Sequence, residues 1–255
     1  MESDNTINWH ERFFQQALWT RVLRDYVLEN IKLKQFSLVL EVGCGTGVIL
    51  NEFSIKDSQR FGFDINESHL QTAKYYSHNA HYTMGDAHYL PYKQNSFDLV
   101  FCHFFLLWVE NPLNILANMV QITKPGGYVV AFAEPDYGGR IDYPTDLEKI
   151  GDIQKDSLRL QGADPRLGRK LSSLLHQVGL SSVQTGIIGG QWSDKQDLNA
   201  WENEWRVIEY DFSFMSDPKP EINIDKLKEQ DKKALLNRTR VLFVPTFYGW
   251  GRVDQ

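Results

Sequence analysis

SLVLEVGCGTGVIL, residues 37–50, joins an apolar run to a glycine-rich turn and then to a second apolar run. Leu38 to Val42 is apolar with one break, the pattern of a strand buried on both faces of a parallel sheet. Gly43, Gly45 and Gly47 allow a tight turn and let the backbone approach a ligand closely. A helix starting after them would aim its unpaired N–H groups at the same point. Such a turn alone also suits a dinucleotide or a simple bend.

Strand and helix signals alternate outward from this stretch. RFGFDI (60–65) reads as a strand, and FDLVFCHFFLLW (97–108) begins as one and leads into a helix. NILANMVQI (114–122) reads as a helix, Pro125, Gly126 and Gly127 as a break, and YVVAFAEP (128–135) as the next strand. LSSLLHQVGL (171–180) adds a helix, SVQTGIIGG (182–190) a strand, and VLFVPTFYGWGRV (241–253) a late strand. The alternation predicts an α/β fold built on a doubly wound, mostly parallel sheet. Ligands of such sheets sit beyond the carboxyl ends of the strands.

Two carboxylates fall at such places. Asp64 ends the strand FGF, where it suits a ribose diol or caps the next element. Asp86 in GDAHYLPY (85–92) suits an adenine amino group or caps a turn, and Ala87 leaves room for a flat ring.

Around this core, three covering pieces are expected at 1–35, 136–168 and 191–237, with the catalytic core at 36–190 and its terminal strand in 238–255. Residues 7–30 have helical spacing, and Trp9, Phe13, Phe14, Leu18, Trp19, Val22, Leu23 and Val27 are the expected buried stripe. Trp9, Phe13 or Trp19 would touch a ligand if this helix covers a cleft.

The 255 residues carry 27 basic and 33 acidic side chains, a net charge of -6, which speaks against broad nucleic-acid binding. Cys44 and Cys102, the two cysteines, form no CxxC pair, so no metal site is expected. No apolar run of about 20 residues predicts a membrane span. The polar first residues lack a secretory pattern, so a cytoplasmic protein is expected.

The ordered set EVGCGTG, FGFDIN, GDAHYLPY, FDLVFCHFFLLW and ITKPGGYVV closely resembles the class I S-adenosylmethionine-dependent methyltransferases. GDAHYLPY and KPGG resemble the small-molecule branch, which includes the quinone-biosynthesis methyltransferases. The resemblance spans residues 35–135 and implies a seven-stranded Rossmann-like methyltransferase fold with helical covering insertions. It implies S-adenosyl-L-methionine as methyl donor and S-adenosyl-L-homocysteine as product. Gly43, Cys44, Gly45 and Gly47 would surround the methionine portion and ribose, with Glu41 orienting the donor amino group. Asp64 would hold the ribose hydroxyls beside Ile65, and Asp86 with the Ala87 backbone would meet the adenine. Cys102 or His103 would offer a backbone carbonyl to the methionine ammonium.

For the acceptor, the residues themselves suggest His103 as general base, because imidazole exchanges protons near neutral pH. Backbone contact or packing is its plainer reading. In EPDYGGRIDYP, Tyr137 and Arg140 are candidates to polarise an acceptor and to hold its carboxylate, alongside Tyr143. A solvated loop with an internal salt bridge explains the same residues. Arg166, Trp108, Trp192, Trp201 and Trp205 are weaker candidates, each with a packing alternative. The expected function is methyl transfer to a small molecule, aromatic or carboxylate-bearing, by a monomer or homodimer. The competing readings are an RNA or protein methyltransferase and a non-catalytic donor-binding regulator.

Overall fold

Leu38–Val42 (β1) forms the strand expected of the first apolar run, with four of its five residues buried. It lies inside a seven-stranded sheet of order β3-β2-β1-β4-β5-β9-β7. The other strands are Gln59–Asp64 (β2), Ala80–Met84 (β3), Phe97–Cys102 (β4), Thr123–Pro135 (β5), Ser181–Ile187 (β7) and Thr246–Arg252 (β9). β1 to β5 run parallel, and β9 runs antiparallel to both β5 and β7. This computed structural model describes residues 7–31, 33–34, 37–52, 58–190, 197–215 and 222–254.

The strand order reverses between β1 and β4, which opens a crevice at their carboxyl ends. Period-2 alternation divides the same strands between two cores. Leu40, Val42, Val100 and Cys102 face one way, onto Pro112–Ile122 (α5) and Leu171–Gln177 (α7). Val39, Leu99 and Phe101 face the other way, onto Val48–Glu52 (α3) and Arg21–Asn30 (α2). Glu67–Tyr76 (α4) joins β2 to β3.

A third core belongs to the cover. Glu148–Leu160 (α6), Leu198–Ser213 (α8) and Ile224–Leu236 (α9) enclose Ile150, Ile153, Trp205, Ile208 and Leu227. Ile141–Tyr143 (β6) and Val241–Phe243 (β8) make a separate antiparallel pair beside it. The stretch 238–255, read as one terminal strand, thus contains two: β8 in the cover and β9 in the main sheet. Pro245 lies between them, where it removes a ladder donor.

Residues 7–30 form two helices rather than one. Trp9–Trp19 (α1) ends at Thr20, whose hydroxyl bonds back to the Gln16 carbonyl, and α2 follows. The expected stripe is partly inverted. Leu23 and Val27 are buried, but Phe14, Leu18, Trp19 and Val22 are each about half exposed or more. The inward positions of α1 hold Arg12 and Gln15 because they meet polar partners, described below. β3 carried no clear sequence signal; it is an edge strand with no buried residue.

Candidate active site

The glycine turn leaves β1 in left-handed conformations, with φ of +73° at Gly43, +51° at Gly45 and +75° at Gly47. Side chains close in around it. A Cβ on Gly43 would lie 2.2 Å from the Phe105 ring, and one on Gly45 would lie 2.8 Å from the Phe13 ring. The turn is therefore a cradle that any larger residue would fill.

Asp64 braces the cradle from the end of β2. Its Oδ2 accepts from the Gly45 N–H at 2.7 Å, and its Oδ1 accepts from the Asn66 N–H at 2.8 Å. Ile65 beside it is 72% exposed, so its side chain is free to lie against a flat group. Asp86 caps the short turn Ala87–Tyr89, accepting from the His88 N–H at 2.9 Å. That hydrogen bond and the His88 ring hold the Asp86 carboxyl below its usual range. Asn118 on α5 fixes the same turn through the Ala87 and His88 carbonyls, at 3.2 and 2.8 Å.

Glu41 is 2% exposed. It accepts from the Leu50 N–H at 3.1 Å and so ties β1 to α3. Burial pushes its carboxyl well up, opposed by the Leu50 hydrogen bond and the Arg24 guanidinium. Cys44 and Cys102 are buried, and burial raises both thiols well above their ordinary value. Raised thiols are poor nucleophiles at neutral pH, so packing is their role in the fold.

His103 begins the loop after β4, and its Nε2 lies 2.8 Å from the Thr20 hydroxyl. Arg24 donates to that hydroxyl at 2.6 Å. Burial, with the nearby Arg24 charge, holds the imidazole well below its ordinary value, hence neutral at pH 7. One ring nitrogen is thereby engaged by the helical cover. Phe104 follows with φ of +50°, and Glu134 at the end of β5 fastens the loop. Glu134 accepts from the Phe105, Leu106 and Leu107 N–H groups at 3.2, 3.0 and 3.2 Å. Burial pushes its carboxyl up to about 7 against those three bonds.

Helix α1 closes the mouth of the turn. His10 reaches the Thr46 hydroxyl at 2.9 Å and stacks on Tyr76 with ring centroids 3.9 Å apart. Phe13 meets His69 edge-on. One residue away, Arg12 pairs with Glu204 of α8 at 2.5 Å, while Gln15 donates to the Ala200 carbonyl at 2.9 Å. The same helix thus touches both the glycine turn and the cover. Sequence reading missed Arg12, Glu204, Asp211 and Thr20. A signal existed: Glu204 and Asp211 are seven residues apart, flanking the apolar stripe of Trp205 and Ile208.

Tyr137 lies in the first turn beyond β5 and packs against the same core as Phe105. Burial pushes its phenol up to about 12, with Glu204 adding to the effect and Arg12 opposing it. It stays neutral, so it is a hydrogen-bond donor rather than a base. Among the described residues its hydroxyl has no hydrogen-bond partner.

Arg140 is elsewhere engaged. Its Nε and Nη2 donate to the Asp142 carboxylate at 2.6 and 3.1 Å, and its Nη1 donates to Gln154. The pair is 3% and 2% exposed. Arg240 bridges Asp142 to Asp231, and Asp231 also accepts from Trp201 and Trp205 at 2.6 and 2.7 Å. The expectation that Arg140 grips an acceptor carboxylate is corrected: its fork is part of a buried network that ties β6, β8 and α9 together. Trp201 and Trp205 likewise bury the cover, and Tyr143 is 55% exposed on β6. Trp192 lies outside the described residues. A groove of about 420 Å³ between α8 and α9 is lined by Trp201, Arg206, Asp225 and Lys232, with none of the donor candidates.

The glycine cradle, the braced carboxylate on the next strand and the order reversal beside them coincide with a family match. Residues 40–131 match the family described as methyltransferase domain.

Relatives match about half of this chain. The malonyl-(acyl-carrier protein) O-methyltransferase of Marinomonas sp. is 34% identical over 119 residues, covering 45% of this chain and 44% of that protein. The demethylmenaquinone methyltransferase of Renibacterium salmoninarum is 32% identical over 121 residues, 47% of this chain and 51% of that one. The chain thus spans about half the length of the curated relatives it matches. Among solved structures, phosphoethanolamine N-methyltransferase 2 of Haemonchus contortus, in complex with S-adenosyl-L-methionine, covers 92% of this chain and 53% of that one. Its TM-score is 0.58 at 16% identity, which shows a shared fold. The matched residues hold the glycine turn, Asp64, Asp86 and His103. Tyr137, Arg140 and the cover lie beyond the match.

Proposed function

We propose that this chain transfers a methyl group from S-adenosylmethionine to a small-molecule acceptor and releases S-adenosylhomocysteine. The observation that carries the reading is the Gly43–Gly47 cradle braced by Asp64, with no room for a single Cβ. It fits the donor by its chemistry. The glycine backbone suits the amino-acid portion, the Asp64 carboxylate suits a diol, and exposed Ile65 with Asp86 suits an adenine. The donor, when bound, supplies an electrophilic methyl on a positively charged sulfur.

The chain's own residues position and enclose. Glu134 fixes the loop from His103 to Leu107, and α1 covers the cradle through His10 and Phe13. Alignment of the reacting atoms supplies much of the rate in such transfers. The acceptor belongs beyond the carboxyl ends of β4 and β5, under the cover. With Arg140 engaged, a carboxylate on the acceptor finds no grip there. His103, neutral and bonded to Thr20, serves this reading through its backbone and its packing.

The net negative charge favours a small acceptor over RNA. Among the described residues no helix is long and apolar enough to cross a membrane. A cytoplasmic monomer or homodimer completes the proposal. The test is to incubate purified protein with methyl-labelled S-adenosylmethionine and a metabolite extract, following label by mass spectrometry. A labelled small product with S-adenosylhomocysteine is the expected result. Absence of donor binding by calorimetry would overturn the reading.

A further inference from the structure

The interior between α1, α6 and α8 holds more carboxylates than cations. Arg12 pairs with Glu204, Arg140 with Asp142, and Arg240 with Asp142 and Asp231. Three guanidiniums therefore face four carboxylates, the fourth being Asp211. Asp211 is 5% exposed. It accepts from the Gln154 amide at 3.2 Å and the Gln161 amide at 3.0 Å, and among the described residues it forms no ion pair, with Arg12 acting on it from a distance. Two neutral amides leave a buried carboxylate short of the charge that would compensate its desolvation.

Tyr137 and Glu204 lie near it. The Tyr137 hydroxyl has no partner among the described residues, and Arg12, Glu204, Asp211 and Arg140 are the charges that act on it. Glu204 offers its Oε2 to Arg12, and among the described residues no bond occupies its Oε1. Two carboxylates and a phenol oxygen make a site for an organic cation.

We propose that Asp211, Glu204 and the Tyr137 hydroxyl hold an ammonium group on the acceptor, under the cover formed by α1 and α8. This rests on the methyl-transfer reading and names the acceptor class: a small amine, protonated when it binds. The Asp211 carboxylate provides the charge, Tyr137 an oxygen acceptor, and the Arg12–Glu204 pair closes the chamber after entry. The ammonium is the group recognised, independently of which atom is methylated.

The proposal carries a pH signature. The groups facing Asp211 are Gln154 and Gln161 on α6, Glu204 on its own helix, Arg12 on α1, and Tyr137 and Arg140 beyond β5. Burial raises Asp211 to about 6. An ammonium needs the ionised form, so its affinity falls as the pH drops through that value.

The experiment uses the full chain loaded with S-adenosylhomocysteine and matched probes: ethanolamine against ethylene glycol, glycine against glycolate, phenethylamine against 2-phenylethanol. Calorimetry at pH 7.5 is expected to show binding by at least one ammonium probe, at least tenfold tighter than its neutral or anionic match. Asp211→Asn is expected to weaken that probe about tenfold and remove the loss of affinity below pH 6. Tyr137→Phe is expected to weaken it about threefold. S-adenosylhomocysteine affinity, unchanged in both variants, verifies their folding. Probes that all bind alike, or none that binds, with S-adenosylhomocysteine still bound, overturn the ammonium site alone. A chain that does not bind S-adenosylhomocysteine overturns the methyl-transfer reading itself.

Discussion

Buried carboxylates occur on both sides of the molecule, but with different partners. Around the glycine turn, Glu41 and Glu134 accept from backbone N–H groups of Leu50 and the Phe105–Leu107 loop, and the half-buried Asp64 accepts from Gly45. In the cover, Asp142 and Asp231 accept from guanidiniums and indoles. A carboxylate on backbone amides fixes the path of a loop whatever the loop's side chains are. A carboxylate on side chains fixes which helices and strands lie together. The loops around the glycine turn are therefore held by their own backbone, and the cover is held by its side chains. Arg12–Glu204 and Gln15–Ala200 join α1, on the donor side, to the cover.

The strongest break in this comparison is Arg140→Ala. It strands Asp142 beside Arg240 alone, and loss of one partner from a buried pair costs about 3–5 kcal/mol. A fall in the urea midpoint is expected, with donor affinity in the folded protein unchanged. If donor binding falls and stability holds, the cover is not the independent unit described. Gly43→Ala tests the other side. Its Cβ would lie 2.2 Å from Phe105 at a positive φ, so about 2 kcal/mol of stability and more than tenfold in donor affinity should be lost.

Asp211→Asn sharpens the contrast through pH. Its folded pKa, about 6, lies above the ordinary value of 3.8. The sign follows: Asp211 adds stability below its unfolded pKa, and that contribution is lost as pH rises through about 6. The loss is at most about 3 kcal/mol. Urea midpoints between pH 4 and 7 should fall less steeply in Asp211→Asn. Asp64→Asn keeps one acceptor oxygen and should weaken donor binding by about 1.5–2 kcal/mol, read by calorimetry, with an unaltered urea midpoint for the cover. The smallest effect concerns His103. With its imidazole held neutral, the pH–rate profile from 6.5 to 9 should show no ionisation that His103→Gln removes.

The glycine turn and the strand end were legible because their geometry is local. Gly43, Gly45, Gly47 and Asp64 sit where a turn and a strand end must be, and the strand alternation places them at one edge of the sheet. β3 was not legible because an edge strand needs no apolar alternation to be held by its neighbour. The cover was illegible for a different reason. Arg140 looks the same in a sequence whether its fork meets a substrate or Asp142. Its real partner is two residues away on β6, while Arg240 arrives from 98 residues later. The helix stripe at 9–27 misled similarly: an apolar face predicts burial only when the surface it meets is apolar, and α1 meets Glu204, Ala200 and Thr46.

The contact between Arg12 and Glu204 joins residues 192 positions apart. During synthesis, α1 emerges long before α8 exists. At roughly 5–20 residues per second, it waits on the order of 10–40 seconds for that partner. Through that interval α1 already has Thr46, His69 and Tyr76 to rest on, while Arg12 and Gln15 wait without their partners. The helix thus closes over the glycine turn first and is latched only when α8 arrives.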